Sequence, residues 1–325
     1  MRTGGKGMMM DNFWIVATQV GVLFALMAVG VACRMTRLLT DVAVKGMVNV
    51  LILIVTPSLI IDVFQRPFDR AQLASLGLAF LIALAAHLAV ILFAVLAIRE
   101  RRPDTRCVLR VASVFSNAGF MGIPLQQAVF GADGVFFGIV YVVVFNLMIW
   151  SWGLWVMRAR GGSAADANDA GFLPMLVNPG TIGIAVGLPL FLMSVKLPTV
   201  LHEPVRYLAG LNTPVAMIAI GYYFAGAKLG PVIRNAHAHL AAFVRLVAYP
   251  LALTAALYPF RHTLDRTMML AMVTAASAPV AAMATMFASR YGRDVDTSVG
   301  MVCGTTLLSA VTMPVVIAFA MHVLV

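Results

Sequence analysis

Ten apolar runs, each about twenty residues or longer and separated by short charged connections, leave this chain few possible folds. They fall at roughly 13–33, 42–62, 72–98, 107–130, 134–157, 179–199, 207–227, 239–260, 267–290 and 297–324. A helix of about 20 mostly apolar residues crosses the hydrocarbon core of a bilayer, and lipid offers no partner to an unpaired backbone N–H, so each run is expected to span as a helix. Of the 325 residues 62% are hydrophobic and 11% charged, against about 45–50% and 25% in soluble domains. The connections leave no room for a soluble catalytic domain, so a soluble enzyme is excluded. The first run follows Arg2 and Lys6 and ends at Ala32-Cys33. It is too long for the core of a signal peptide and reads as a retained first span.

The formal charge of +10 is spread in short clusters rather than along one stripe. That pattern suits lipid headgroups and argues against nucleic acid as a partner. With loops placed alternately on two faces, one face carries Arg34, Arg37, Lys45, the five arginines from Arg99 to Arg110, Arg158, Arg160, Lys228, Arg234, Arg290 and Arg293. The other carries Arg2, Lys6, Arg66, Arg70, Lys196, Arg206, Arg261 and Arg266. The positive-inside rule puts the first face in the cytoplasm and both termini outside, in the cell membrane, the inner one if there are two. A start at Met8, Met9 or Met10 instead of Met1 removes Arg2 and Lys6 and sharpens the contrast. Cys33, Cys107 and Cys303 form no CxxC, so neither a disulfide framework nor a zinc site is expected, and no cofactor is.

The polar stretch Gly161–Asp169 has linker composition, and Asn178-Pro179 after it is a good helix start. The chain therefore divides into a first five-span repeat at 1–160, a cytoplasmic linker at 161–177 and a second repeat at 178–325. Thr56-Pro57 and Thr213-Pro214 lie 157 residues apart in the second and seventh spans. Phe130-Gly131 and Tyr291-Gly292 end the fourth and ninth spans 161 residues apart. A unit of five spans crosses an odd number of times, so its second copy is inverted. Inverted repeats are the architecture of many secondary transporters, with one site at the midplane.

The fourth span reads Ser116-Asn117-Ala118-Gly119-Phe120-Met121-Gly122-Ile123-Pro124, and the ninth contains Thr274-Ala275-Ala276-Ser277-Ala278-Pro279. Proline removes a donor and clashes with the preceding turn, so both helices are expected to break near their middles. Either span alone reads more readily as a packing kink than as a site, since proline and glycine are common in membrane helices. Breaks at corresponding places in two halves point to a transporter site, where half-helix N-termini suit a carboxylate. The expected substrate-binding residues are Ser116, Asn117, Gly119, Gly122, Pro124, Ser277 and Pro279.

Asp62, His87, Thr274 and Arg245 are candidates for coupling or ion binding. Each has a plainer alternative. Asp62 closes the second span and can simply face outer water, and His87 can be a satisfied core histidine. Arg245, some six residues into the eighth span, is close enough to snorkel to the headgroups. Asn49, Asn146 and Asn212 are expected to hydrogen-bond between helices, and Gly183 and Gly187 to allow close packing. Gly221–Lys228 misses a phosphate-binding loop because Ala227 stands where its lysine belongs, and neither GxSxG nor HExxH occurs. ATP-driven pumping and intramembrane catalysis therefore have no support.

The string Asn117–Leu125 followed by Phe130-Gly131 resembles the auxin efflux carrier family, which includes plant PIN-type carriers and bacterial malonate or malate transporters. Pro279, Phe287-Ala288 with Tyr291, and Pro314 in the last span extend the resemblance over essentially the whole chain. It implies an all-α integral membrane fold of ten helices in an inverted five-plus-five repeat, with broken helices 4 and 9 crossing, as in bile-acid sodium symporters. It further implies transport of small organic carboxylate anions by a homodimer; protons, sodium or simple uniport are all compatible with these residues as modes of coupling. Asn117 and Pro124 match the first crossover and Pro279 the second. Plant members carry a polar residue and a second proline where this chain has Val280 and Ala284, and a long hydrophilic loop in place of the short linker. The departures favour a smaller acid such as malonate or malate over auxin. A sodium-coupled symporter, with Asn117, Thr274 and Ser277 as ligands, and a non-transporting membrane sensor of the same fold are the alternatives.

Overall fold

The structure is a computed structural model, which describes residues 4–158, 179–227 and 229–324. The linker at 161–177, Asn178 and Lys228 lie outside the described residues. Among the described residues every regular element is a helix, and the one piece of β structure is an isolated two-residue bridge. The long elements are α1 (Gly4–Met35), α2 (Asp41–Val63), α3 (Arg70–Ala97), α4 (Pro103–Val114) and α5 (Ala118–Arg158). There follow α6 (Pro179–Leu192), α7 (Thr199–Gly210), α8 (Asn212–Phe224), the short turn α9 (Gly230–Ile233) and α10 (Ala236–Phe260). The chain ends with α11 (Arg266–Ser277), α12 (Met283–Arg290) and α13 (Val295–Val323). Among the described residues six helices are long and apolar enough to cross a membrane, α1 from Phe13, α2, α3, α5, α10 and α13.

The remaining expected spans differ from unbroken helices. The fourth is α4 joined to the start of α5 across a break, and the ninth is α11 followed by α12. The sixth stops at Leu192 rather than 199, and the seventh begins at Asn212, after α7 has ended at Gly210. The fourth and fifth are continuous by hydrogen bonding, but the backbone leaves the helical region at Gly131 (φ 65°, ψ −155°). Gly292, which follows α12, also has positive φ, 61°. Only glycine enters the Gly131 conformation freely, so Gly131→Ala should destabilise the protein by about 1–3 kcal/mol, measured as a lowered midpoint in thermal unfolding.

Prolines shape the helices by a shared device. The π-helical turns Leu51–Val55, Ala118–Gly122 and Val244–Ala248 each end two residues before a proline, Pro57, Pro124 and Pro250. A widened turn makes room for a ring that would clash with the carbonyl four residues earlier, and it absorbs the missing N–H. At the first of these, the Thr56 hydroxyl also donates to the Leu51 carbonyl at 2.9 Å. A fourth π turn, Ile149–Gly153, has no proline after it.

Contacts divide the described residues into two compact units, one within 1–21, 79–167 and 227–325 and the other within 22–78 and 168–226. Each unit draws on both halves of the chain. In the second unit α2 packs against α6, α7 and α8. Small residues allow this: a Cβ on Gly183 would come within 3.0 Å of the Pro57 Cα and the Ile60 Cβ. The same unit buries Val44, Ala219 and Tyr222 together, and Tyr222 donates its hydroxyl to Asp41 at 2.9 Å. Gly30 of α1 and Gly221 of α8 face each other's helices so closely that a Cβ on either would meet a backbone carbonyl, that of Ile218 or of Met27.

In the first unit α11 packs along α5, and α13 lies against α4, α11 and α12. Burial separates wall from interior. Only 28% of the most apolar window of α3 is buried, against 56% in α5, α10 and α13, and α3 turns Leu81, Leu88, Leu92 and Phe93 outward. Apolar side chains exposed along a whole helix suit contact with lipid.

Two polar expectations are corrected. Asn146 donates to Val142 of its own helix at 2.9 Å, not to a neighbour, because a short amide reaches the carbonyl one turn back as a second donor to it. Asn49 is exposed.

Candidate functional site

The first unit is organised around two breaks. Helix α4 ends at Val114, Phe115 is extended (φ −99°, ψ 115°), and helical structure resumes at Ala118. Helix α11 ends at Ser277, Ala278 is extended (φ −63°, ψ 149°), and α12 starts at Met283. The two irregular stretches run antiparallel and pair through a bridge between Ser116 and Val280. The Asn117 N–H donates to the Pro279 carbonyl at 2.6 Å and the Ala281 N–H to the Phe115 carbonyl at 3.0 Å. The Val280 N–H points to the Thr305 hydroxyl of α13, 3.1 Å away. Backbone groups left open where the helices end are therefore satisfied by the other break and by a hydroxyl, as buried irregular backbone requires.

The side chains at the bridge are less well satisfied. Ser116, Thr274 and Ser277 are fully buried, and Asn117 is 5% exposed. Ser277 Oγ donates to the Thr274 carbonyl at 2.9 Å. The Ser116 hydroxyl, the Thr274 hydroxyl and the Asn117 amide nitrogen have no hydrogen-bond partner. A buried polar group left unpaired costs about 1–3 kcal/mol, so two at the bridge and a third on the last turn before the second break mark a place suited to a polar ligand. The first turn of α5 adds to them. The N–H groups of Met121 and Gly122 are held by the Asn117 carbonyl at 3.0 and 3.2 Å, while those of Ala118, Gly119 and Phe120 precede any intrahelical acceptor.

Glycines leave room there. A Cβ on Gly119 would meet nothing within 4 Å, whereas one on Gly122 would touch Ala275 at 3.6 Å, where α5 and α11 pack. Pro124 is buried two residues past the π turn that accommodates its ring. Thus Ser116, Asn117, Gly119, Gly122, Pro124, Thr274, Ser277 and Pro279 are brought to one locality. Sequence reasoning missed two supports. Gln126 donates to the Ala271 carbonyl at 2.8 Å and ties α5 to α11, and Thr305 braces the second break. A glutamine two residues past the proline of a broken span was the available signal.

Arg245 and His87 lie in the same unit and are fully buried. Arg245 does not extend toward the helix end. Its guanidinium donates to the Val114 carbonyl at 2.7 Å and to the Ala276 carbonyl, and it stacks 4.7 Å from the centre of the Tyr249 ring. Helix α10 begins at Ala236 rather than 239, which sets Arg245 nine residues, about 14 Å, along it. The Tyr249 hydroxyl is 3.3 Å from that of Tyr141, whose ring stacks 4.8 Å from His87. His87 Nδ1 lies 2.8 Å from the Ala83 carbonyl and Nε2 has no partner. Asp62 belongs to the second unit, where it pairs with His202 at 2.8 Å with both side chains partly exposed.

Arg293, read from sequence only as a topology signal, lies beside a second network in the first unit that includes Asp104 and Asp294. Arg293 is 9% exposed and donates to the Met157 carbonyl at 2.7 Å and to Asp104 at 2.6 Å. Asp294 caps α13, accepting from the Thr297 N–H at 3.0 Å, the Thr297 hydroxyl at 2.7 Å and the Thr105 hydroxyl at 2.6 Å. Burial pushes the Asp294 carboxyl up, but the hydrogen bonds from Thr105 and Thr297 outweigh it and hold the group below its ordinary 3.8. A carboxyl depressed in the folded state contributes stability above its unfolded pKa and loses it as pH falls through the folded one. Asp294→Ala should therefore cost about 0.5–2 kcal/mol at neutral pH and progressively less below about pH 4, read from unfolding midpoints across pH.

A family described as membrane transport protein matches residues 15–172 and 168–317 of the chain. An uncharacterized transporter of Methanothermobacter thermautotrophicus is 30% identical over 210 residues. That match covers 63% of this chain and 65% of the relative.

Proposed function

The chain belongs to the auxin efflux carrier family of membrane transport proteins, and from that premise we propose that it is a secondary transporter of small organic carboxylate anions such as malonate or malate. The observation that carries this reading is the pairing of the two breaks at Ser116 and Val280 around the unpartnered Asn117 amide and Ser116 and Thr274 hydroxyls. Donors without acceptors, beside the free N–H groups that open α5, suit a carboxylate. In this reading the ten spans form an inverted five-plus-five repeat, broken helices 4 and 9 cross at the site, and alternating access moves one helical bundle against another. The positive-φ glycines 161 residues apart, Gly131 and Gly292, support the repeat, as does the contribution of both halves to each compact unit. The protein sits in the cell membrane with both termini outside and works as a homodimer.

Coupling to protons would engage His87 or Asp62. A sodium-coupled symport is the second reading, favoured by the free Ser116 and Thr274 hydroxyls, since hard cations take oxygen ligands. Uptake of labelled malonate, malate and indole acetate into proteoliposomes, with and without imposed proton and sodium gradients, tests both. Saturable uptake of one acid is expected, and the gradient that drives it names the coupling ion. If no acid enters faster than into empty liposomes under any gradient, the carboxylate reading fails and a binding sensor of the same fold takes its place.

A further inference from the structure

A single guanidinium holds the C-terminal ends of both broken helices. Val114, the acceptor of Arg245 Nη1, is the last residue of α4, and Ala276, the acceptor of Nη2, is the last but one of α11. These are the ends where a helix dipole is negative and carbonyls lack intrahelical donors, so a cation is favoured at both. Asn117 and Pro279, which hydrogen-bond across the breaks, each follow the clamped residue by three positions, about 10 Å of chain at most. Arg245 is fully buried and, among the described residues, has no carboxylate within ion-pair distance. Its packed neighbours on the other side, Tyr249 and beyond it Tyr141 and His87, carry no negative charge of their own to set against it. The guanidinium has five N–H groups, and its Nε–H is buried without a partner.

We infer that Arg245 is a positioning residue that ties the two half-helices together and leaves at their crossing a net positive charge that selects anions over neutral isosteres. Resting on the carboxylate reading for its substrate, this inference deepens that reading by assigning its charge selectivity to one side chain. A buried arginine without a counter-ion is otherwise costly, and an entering anion supplies what the fold omits. The rigid planar fork matters as well as the charge, because two carbonyls from different helices must be met at once.

The test uses the full chain in lipid nanodiscs as wild type, Arg245→Gln and Arg245→Lys. Amide hydrogen exchange is followed at Asn117 and Ala281, and the shift in unfolding temperature is measured with malonate and with neutral malonamide. Exchange at both amides should rise at least about tenfold in Arg245→Gln, and the malonate shift should vanish while the response to malonamide stays as in wild type. Arg245→Lys, which keeps the charge without the fork, should show faster exchange at both amides yet keep part of the malonate shift; it carries the test should the Gln variant fail to fold. Exchange changed less than twofold at both amides overturns the clamp. A malonate shift unchanged in Arg245→Gln overturns the selectivity. If wild type responds to none of malonate, malate and indole acetate, the substrate reading fails on its own, and the exchange rates still decide the clamp.

Discussion

Asn117→Asp should reduce carboxylate uptake by at least about a hundredfold. The amide nitrogen of Asn117 is buried without a partner at the bridge between the two breaks. Exchanging it for a carboxylate oxygen replaces a donor by a like charge. Two such charges about 4 Å apart repel by about 4 kcal/mol at an effective dielectric near 20, which corresponds to roughly a thousandfold before relaxation. Asn117→Ala removes only the donor. A hydrogen bond to a charged group is worth about 1.5–3 kcal/mol, so a loss of about ten- to a hundredfold is expected there. The order Asp below Ala below wild type is the informative result in an uptake assay at matched protein levels. Uptake by Asn117→Asp equal to that of Asn117→Ala would mean the substrate does not approach this amide.

The largest effect on stability is expected in the other unit. Gly30→Val and Gly221→Val should each destabilise the protein by about 3 kcal/mol or more, because the added Cβ of each meets backbone rather than a side chain that could turn aside. In thermal unfolding that is a fall on the order of 10 °C, or loss of the monodisperse species altogether. Both changes wedge apart the same contact between α1 and α8, so the double variant should lose less than the sum of the two. Gly46→Ala in α2 is the control. A Cβ there meets nothing within 4 Å, and alanine suits a helix better than glycine by about 0.5–1 kcal/mol. A Gly46→Ala variant as damaged as Gly30→Val would remove the packing explanation.

The broken helices were legible from sequence because their causes are local. Pro279 directly follows the extended Ala278 and so marks the second break by itself, whereas the first break lies at Phe115–Asn117 and the helix runs through Pro124 on a widened turn, so in the fourth span the glycine- and proline-rich stretch as a whole marked the break. The positive φ of Gly131 and Gly292 was marked in the same way, by aromatic-glycine pairs at the ends of apolar runs. Helix limits were less legible. Placing the start of the eighth span at 239 instead of Ala236 made Arg245 look near the headgroups, and the plainer reading of its role followed from those three residues. The same looseness extended the sixth span past Leu192 and hid the interruption at Leu211.

The sequence alone determined that this is a multi-pass helical membrane protein, which runs of apolar residues decide because water and lipid sort them one segment at a time. It also determined which two of those segments break, since their glycine- and proline-rich stretches are local, although the fourth breaks before its proline and not at it. Only the tertiary structure decided which break pairs with which: Ser116 meets Val280 across 164 positions, and nothing in either segment encodes its partner. It likewise decided that the acceptors of Arg245 are Val114 and Ala276, on two different helices. A buried cation takes whatever carbonyls the fold leaves open, and open carbonyls exist only where helices have ended and been brought together.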